Sequence, residues 1–227
     1  MKKIFILHGW AYDTKKWEPF LEKLRRNNVD PILLKIPGLT DKIDKPWNID
    51  DYVNWLDTKL QGQKNIILLG HSNGGKIALS YAIKYPGNIN KIFLLNSAGI
   101  YHNDPVIRIK RLIFGYLAKF GKKFTTSPVL KNILYKVVGE NDYNQSSNVM
   151  KETMQNLINI NLTPKLQEIK TPTIVIWGEN DTITPVSDAH VFNNGIKKSK
   201  LIVIDNARHS PQFTHVGEVA KIIYEHI

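Results

Sequence analysis

The chain has 227 residues, of which 42% are hydrophobic and 10% aromatic, and it contains no cysteine. This length and composition suit one large domain with a packed core, exclude general disorder, and exclude a disulfide framework, a cysteine nucleophile and thiolate metal sites. The 31 Lys and Arg residues outnumber the 20 Asp and Glu residues, which gives a formal net charge of +11 at pH 7.

The first hundred residues alternate short apolar runs with segments of helical spacing. Buried strands are predicted over Lys3–Leu7, Ile32–Ile36, Ile66–Leu69 and Lys91–Leu95. Helices are predicted over Trp17–Arg26, from a cap at Asp50 to Leu60, and over Lys76–Tyr85. This alternation is typical of a parallel sheet covered by helices on both faces.

The alternation stops after Gly99 and resumes at Thr173. In between, helices are predicted around residues 108–122, from Ser127-Pro128 to Val138, and from Ser146 or Ser147 to Ile160. Afterwards, strands are predicted over Thr173–Trp177 and Lys200–Ile204, and helices over Ser187–Phe192 and Val216–Ile227. We therefore divide the chain into a core of residues 1–100 and 171–227 and a helical insertion of residues 101–170.

The chain shows no sign of membrane insertion or export in its apolar runs. None approaches the roughly 20 residues that a membrane-spanning helix needs. The apolar run near the start covers only Ile4–Leu7, shorter than the roughly 7–15 residues of a secretion signal. We therefore expect a cytoplasmic protein. Its positive charge is uneven, because residues 101–140 contain eight basic and two acidic residues.

Ser72 lies at the centre of a glycine-rich turn, Gly70-His71-Ser72-Asn73-Gly74-Gly75, between a predicted strand and a predicted helix. Glycines two residues before and after a serine permit a sharp turn that exposes the hydroxyl, and the following helix N-terminus offers N–H groups to a developing oxyanion. Two other interpretations are open at this point. The turn could be a loop without chemistry, or a phosphate-binding loop, although Ile77 stands where such a loop needs a magnesium-binding hydroxyl.

Three further strand ends carry residues that suit nucleophilic catalysis by serine. These are His8-Gly9-Trp10, Asp181 and His209. Because the carboxyl ends of parallel strands gather at one edge of a sheet, we expect them to lie near Ser72. Asp205 is a competing acid, but it lies only four residues before His209 on the same strand end, so we prefer Asp181.

The chain resembles the α/β-hydrolase family over nearly its full length. The resemblance is carried by H-G-W (His8 to Trp10), G-H-S-N-G-G, W-G-E-N-D-x-x-x-P (Trp177 to Pro185) and A-x-H-S-P (Ala207 to Pro211), and by the chain order Ser, Asp, His. It implies an α/β-hydrolase fold, with a mostly parallel sheet, helices on both faces and a helical lid at residues 101–170. Since only seven residues precede His8, where the family usually has two further strands, we expect a shortened sheet of about six strands.

The resemblance also implies roles for individual residues. Ser72 would be the nucleophile, His209 the general base and later the acid, and Asp181 the group that orients the imidazole. The backbone N–H groups of Trp10 and Asn73 would form the oxyanion hole. No cofactor or metal ion is implied.

Three polar residues near the turn are assigned structural roles. We expect His8 to hydrogen-bond its own turn and His71 to be a packing group beside the nucleophile. Lys76 is expected to be the first exposed charge on the helix.

The predicted insertion supplies candidate substrate-binding residues. Its aromatic and aliphatic side chains would line an apolar pocket, which favours a neutral ester of a short or medium acyl chain. We therefore predict a carboxylesterase, with a carbon–carbon bond hydrolase that uses the same triad as an alternative. The candidate pocket residues are Tyr101, Ile113, Phe114, Tyr116, Leu117 and Phe120.

The basic insertion suggests partners besides a small-molecule ester. H-G-W followed by Trp17, together with A-x-H-S-P-x-x-x-H (Ala207 to His215), resembles the esterases that demethylate pimeloyl-acyl-carrier protein. A basic lid would suit an acidic carrier protein through electrostatic steering. The amphipathic pattern of residues 106–124 would also suit an anionic membrane surface, and a hydrolase-fold receptor without turnover is the non-enzymatic alternative. No nucleic acid partner is expected.

Overall fold

The computed structural model describes residues 1–10, 14–101 and 148–227. The strands are β1 (Lys2–Leu7), β2 (Val29–Leu33), β3 (Ile66–His71), β4 (Ile89–Leu95), β5 (Thr173–Gly178) and β6 (Ser199–Ile204). The α-helices are α1 (Glu18–Arg26), α2 (Ile49–Leu60), α3 (Asn73–Lys84), α4 (Asn148–Ile158), α5 (Val186–Gly195), α6 (Pro211–Thr214) and α7 (Val216–His226), and Lys15–Trp17 and Thr163–Glu168 are 3-10 helices. Within these ranges, no helix combines the length and apolarity needed to cross a membrane.

The strands form one parallel sheet in the order β2-β1-β3-β4-β5-β6. In its register Leu7 lies opposite Gly70, Gly70 opposite Leu94, and Leu95 opposite Ile176. The segments that leave β1, β3, β4 and β5 therefore start side by side at one edge, which we call the carboxyl edge. The predicted six-stranded parallel sheet with helices is confirmed, whereas the predicted lid lies largely in residues 102–147, outside the described residues.

The hydrophobic core forms two layers, one on each face of the sheet. Ile4 and Ile6 of β1 pack with side chains of α1 and α7, whereas Phe5 and Leu7 pack with side chains of α2, α3 and α5. Successive side chains of a strand point to opposite faces, so a fully apolar strand serves both layers. This explains why the strands appear in the sequence as continuous apolar runs.

Strand β2 differs from its prediction. It covers Val29–Leu33, where Ile32–Ile36 was predicted, because β1 pairs with it from Lys2 opposite Val29 to Ile6 opposite Leu33. The strand thus contains Pro31, which has no N–H to donate. An edge strand tolerates proline because one side of it has no neighbour, and β2 lies at the edge of the sheet.

Helix α2 begins at Ile49, and its cap is Asn48, so the predicted cap at Asp50 is wrong. The Asn48 side chain accepts hydrogen bonds from the N–H groups of Asp50 and Asp51 at 2.8 and 3.2 Å. The Asp51 carboxylate accepts in return from the N–H of Asn48 at 2.8 Å. This reciprocal capping box satisfies more of the free N–H groups than a single Asp50 side chain could.

Helix α4 belongs to the predicted insertion, and it packs directly on the core. Met150 is buried, and a Cβ atom on Gly38 would lie 2.6 Å from its sulfur. The hydroxyl of Thr153 accepts from the N–H of Trp47 at 3.0 Å, and Asn156 donates to the carbonyl of Trp47 at 3.3 Å. The division of the chain at residues 101 and 170 remains a prediction.

Replacing Gly74 with alanine should lower the free energy of unfolding by at least about 2 kcal/mol. A Cβ atom there would lie 2.1 Å from the carbonyl oxygen of Leu7, so the start of α3 and the end of β1 would have to separate. Gly217 in α7 is the control, because nothing lies within 4 Å of the corresponding Cβ position. Gly217→Ala should be neutral or stabilising. Urea denaturation measures the free energy of unfolding, and an equal decrease of it in the two variants would contradict the prediction.

Candidate active site

Ser72 occupies a strained turn between β3 and α3. Its backbone has φ 53° and ψ −120°, a conformation that residues other than glycine rarely adopt. The turn is tight, since a Cβ atom on Gly70 would lie 2.4 Å from the Cα of Gly75. Helix α3 starts at Asn73, three residues before the predicted start at Lys76, because the turn ends at Ser72 itself. The serine hydroxyl therefore lies at the carboxyl edge, directly before a helix N-terminus.

The side chains of Ser72, His209 and Asp181 form one hydrogen-bonded line. Ser72 Oγ donates to His209 Nε2 at 3.1 Å, and His209 Nδ1 donates to Asp181 Oδ2 at 2.8 Å. The Asp181 side chain is fully buried, whereas that of His209 keeps 17% of its surface exposed. Asp205, the competing acid, is exposed. The structure therefore brings together the three residues that the sequence predicted, in the order that nucleophilic catalysis by serine requires.

Four hydrogen bonds besides that of His209 hold the Asp181 carboxylate. Asn96 Nδ2 and Thr184 Oγ1 each donate to Oδ2 at 2.6 Å, and the N–H groups of Ile183 and Thr184 donate to Oδ1 at 2.8 and 3.0 Å. Burial alone raises the pKa of Asp181, but the hydrogen bond and charge of His209 and the bonds from Thr184 and Asn96 outweigh it, so the pKa lies below its usual value. Asp181 is therefore a carboxylate at neutral pH, which can stabilise a protonated imidazole.

Asn96 and Thr184 were not among the residues predicted for the site. Asn96 directly follows β4, is fully buried with φ 45°, and accepts a hydrogen bond from the N–H of Gly178 at 3.3 Å. The sequence did offer an indication for Asn96, because it is a polar residue at the end of a buried strand, as the other predicted site residues are. Thr184 had no such signal, because nothing local distinguishes it from the exposed Thr182.

Thr184→Val should lower kcat for an ester substrate by about 10- to 100-fold, the value of a hydrogen bond to a charged group. Valine keeps the shape but removes the donor to Asp181 and the hydroxyl that lies 3.2 Å from His209 Nδ1. Thr182→Val changes an exposed threonine two residues away and should leave kcat unchanged. A Thr184→Val variant with wild-type kcat, or with a change in KM alone, would contradict this role.

His71 and His8 lie beside the triad as neutral, buried side chains. His71 Nε2 donates to the carbonyl of His209 at 2.9 Å, and Trp17 packs edge-on against its ring at 6.0 Å. Burial, and then the charge of His209, lower the pKa of His71 to about 3. His8 Nδ1 donates to the carbonyl of Gly9 at 2.8 Å, as expected, and burial lowers the pKa of His8 also. His71 thus positions the backbone of His209 as well as packing.

His71 should make the protein lose stability in acid. Its pKa is about 3 in the folded chain and 6.5 for an unperturbed histidine, so between these values the unfolded state binds a proton that the folded state does not. The stability contributed by the neutral ring is complete above the unfolded pKa and decreases by about 1.4 kcal/mol per pH unit as the pH falls towards the folded one. Urea titrations should show this slope in the wild type and its loss in His71→Gln. Parallel stability curves for the two proteins would contradict the prediction.

The two residues predicted to form the oxyanion hole follow segments that contact each other at Ser72. Asn73 is the first residue of α3, where backbone N–H groups have no acceptor within the helix. Trp10 follows Gly9, which lies against the nucleophile: a Cβ atom on Gly9 would be 2.9 Å from the Cβ and 3.4 Å from the Oγ of Ser72. Both residues are therefore close to Ser72 along the chain or through Gly9, and their role as an oxyanion hole stays a prediction.

Lys76 is buried, so the exposed position expected from the sequence is wrong. Only 4% of its surface is exposed, and its ammonium group donates at 2.5 Å to the carbonyl of Leu157, in the last turn of α4. A lysine is favoured there, because the carbonyl groups at a helix C-terminus are partly negative. This contact occupies the lysine that a phosphate-binding loop would need for its ligand, and Ile77 is buried too.

Most of the predicted substrate-binding residues fall outside the described residues. Tyr101 is described and is 40% exposed. The other five stay predictions; they are Ile113, Phe114, Tyr116, Leu117 and Phe120. Among the described residues no group of three or more His, Asp or Glu side chains has an arrangement that could hold a metal ion.

Comparisons with known proteins agree with this architecture. The family model described as "Serine aminopeptidase, S33" matches residues 1–213. The chain is 27% identical to AB hydrolase superfamily protein YisY of Bacillus subtilis, over 98% of this chain and 90% of that protein. It is 20% identical to a pimeloyl-[acyl-carrier protein] methyl ester esterase of Neisseria meningitidis, over 98% of this chain and 92% of that protein.

Solved structures share the fold. MGS-M2, an α/β hydrolase from a Medee basin deep-sea metagenome library, matches with a TM-score of 0.77 at 22% identity, over 99% of this chain and 88% of that chain. Identity at this level shows a common fold and leaves the substrate open.

Proposed function

The chain belongs to the α/β-hydrolase family described as serine aminopeptidase, S33, and from that premise we propose that it is a serine hydrolase that cleaves carboxylic esters of small or medium acyl groups. The observation that carries the proposal is the hydrogen-bonded line from Ser72 through His209 to Asp181. It supplies a nucleophile, a base within reach of the nucleophile's proton, and a buried anion that orients the base.

The first half of the proposed reaction forms an acyl-enzyme. Ser72 Oγ attacks the ester carbonyl carbon while its proton passes to His209 Nε2. The negative charge that develops on the carbonyl oxygen is held by the N–H groups of Trp10 and Asn73. His209 then gives the proton to the leaving alcohol as the carbon–oxygen bond breaks.

The second half releases the acid. Water attacks the acyl carbon and transfers a proton to His209 Nε2, and the imidazolium returns that proton to Ser72 as it leaves. Asp181 keeps its charge throughout, since its pKa lies below the usual value and its oxygens already accept hydrogen bonds from Asn96 and Thr184. It therefore stabilises the imidazolium without taking its proton.

The methyl ester of an acyl-carrier-protein thioester is a second candidate substrate. Support comes from the relative in Neisseria meningitidis, whose name states this activity, and from the A-x-H-S-P-x-x-x-H sequence around His209. An acidic carrier protein would also complement a chain of formal net charge +11.

A substrate panel tests the proposal. Turnover of p-nitrophenyl acetate, butyrate and octanoate should show measurable kcat with a preference for the shorter chains. A dimethyl ester of a dicarboxylic acid and a methyl pimeloyl-carrier protein test the second candidate. Cleavage of a dienoic diketo acid without ester turnover would replace the esterase by a carbon–carbon bond hydrolase.

A further inference from the structure

The edge of the sheet opposite the triad, which we call the amino edge, is strongly basic. All strands of a parallel sheet begin at this edge, and β1, β3, β4, β5 and β6 each have a lysine within three residues of their first residue. Asp30 is the acidic residue within that distance of a strand start. The exposed lysines that define the amino edge are Lys2, Lys3, Lys64, Lys170, Lys197, Lys198 and Lys200. Neighbouring strands lie about 4.8 Å apart, so the lysines of these five strands extend over roughly 19 Å.

Some lysines at this edge have a local role. Lys2 donates to the carbonyl of Ile227 at 2.8 Å, Lys91 donates to the carbonyl of His226, and Lys200 lies 2.9 Å from His226 Nε2. These contacts cap the C-terminal end of α7, where cations complement the helix dipole.

The other lysines of the amino edge are not explained by capping. Lys3, Lys64, Lys170 and Lys198 are exposed, and no carboxylate in the described ranges forms an ion pair with them. They come from four different strand starts that only the folded sheet brings to one side. Their charges therefore add to one positive potential on that side of the molecule.

The helices increase the charge difference between the two edges. In this fold the helices that pack on the sheet start at the carboxyl edge, and the first turns of α2 and α7 contain acidic residues, whereas the last turns of α2 and α3 contain basic ones. The acids are Asp50, Asp51 and Glu218, and the basic residues are Lys59 and Lys84. An anionic surface would therefore attract the amino edge and orient the molecule with the triad on the far side.

Side chains next to the lysines favour a lipid surface over a structured polyanion. Met1 and Tyr224 are 72% and 55% exposed and line a groove with Lys2 and with Glu225, whose carboxylate is paired with Lys221 at 3.8 Å. Arg25 and Arg26 are paired with Glu18 and Glu22 at 2.7 and 3.5 Å. Their guanidinium groups, which could otherwise form bidentate hydrogen bonds with phosphates, are therefore occupied. Diffuse lysine charge beside an apolar and a tyrosine side chain is the combination that the headgroup region of an anionic bilayer accommodates.

We propose that the amino edge docks on an anionic phospholipid surface and holds the triad towards the aqueous side. This inference is independent of the proposed esterase activity, since it concerns the opposite edge and predicts binding alone. It also differs from binding through the basic residues of the insertion, which would be a contact on another part of the chain.

Vesicle flotation tests the proposal with two triple variants of equal charge change. Lys3→Gln, Lys170→Gln and Lys198→Gln together neutralise the amino edge, and Lys35→Gln, Lys42→Gln and Lys45→Gln neutralise three exposed lysines in the segment that follows β2 at the carboxyl edge. On vesicles of phosphatidylglycerol and phosphatidylcholine, the first variant should bind about 100-fold more weakly than wild type, since each lysine near an anionic surface contributes about fivefold. The second should bind within about threefold of wild type. Binding should vanish in molar salt and on pure phosphatidylcholine.

Four outcomes would overturn the proposal. The two triple variants could lose binding equally, which would make net charge the cause. Neutralising Arg108, Arg111, Lys119 and Lys122 could abolish binding while the amino-edge variant retains it, which would assign the contact to the insertion. The wild type could fail to bind anionic vesicles, or could bind single-stranded DNA more tightly than them. Far-UV circular dichroism spectra and urea unfolding midpoints, expected to match those of the wild type, show that each triple variant is folded.

Discussion

Ser72→Ala should lower kcat for p-nitrophenyl butyrate by about 10⁴-fold or more and abolish labelling by a fluorophosphonate probe. The substitution removes the hydroxyl that lies 3.1 Å from His209 Nε2 and leaves that base without a nucleophile to activate. Any remaining rate would come from the oxyanion hole and from binding alone. Stopped assays of kcat, together with mass spectrometry of the labelled peptide, measure both effects.

Ser80, two turns further along α3, is the matched control for that experiment. Ser80→Ala should keep both labelling and turnover, since this residue lies outside the hydrogen-bonded line. Probe attachment at a serine other than Ser72, or a wild type that is neither labelled nor active on any ester of the panel, would contradict the proposed nucleophile.

Asp181→Asn should lower kcat by about 10⁴-fold while leaving the fold intact. An amide can place its NH₂ group towards His209 Nδ1, which favours the tautomer that carries its proton on Nε2. That proton then faces Ser72, and the histidine can no longer accept one from the hydroxyl. An NH₂ group at the position of Oδ2 would also face two donors, because Asn96 and Thr184 both donate hydrogen bonds to Oδ2 in the wild type.

Asp205→Asn tests the same exchange at the competing acid. Asp205 is exposed, so this variant should keep kcat within about threefold of wild type, as surface substitutions usually do. Full activity in Asp181→Asn together with a large loss in Asp205→Asn would reverse the assignment of the acid. A measurement of kcat and KM for both variants at one pH above neutrality distinguishes these results.

The order of strands and helices was largely predictable because the signals are local. A fully buried parallel strand is a continuous apolar run, and turns are marked by glycine and proline. The predicted element bounds were wrong where a contact with another segment sets them. Pro31 belongs to β2 because that strand is an edge strand, and Asn48 caps α2 because Asp51 returns its hydrogen bond.

Lys76 shows the limit of reasoning from local pattern. Its charge favours an exposed position, yet the carbonyl of Leu157, 81 residues away in the chain, accepts its hydrogen bond. The hydrophobic pattern of α3 does not indicate that α4 covers this face of the helix. Asn96 and Thr184 belong to the same class, since their importance depends on the position of the Asp181 oxygens.

The residue types of the site and their places at strand ends could be read from short segments: Ser72 in its glycine turn, Asp181 after one strand and His209 after another. These are properties of short segments, set by turn geometry and apolar patterning. The folded sheet was needed to show that the three side chains form one hydrogen-bonded line and that lysines from separate strand starts share the opposite edge. The register of the parallel sheet sets which strand ends meet, and that register is fixed by packing between segments that are distant in the chain.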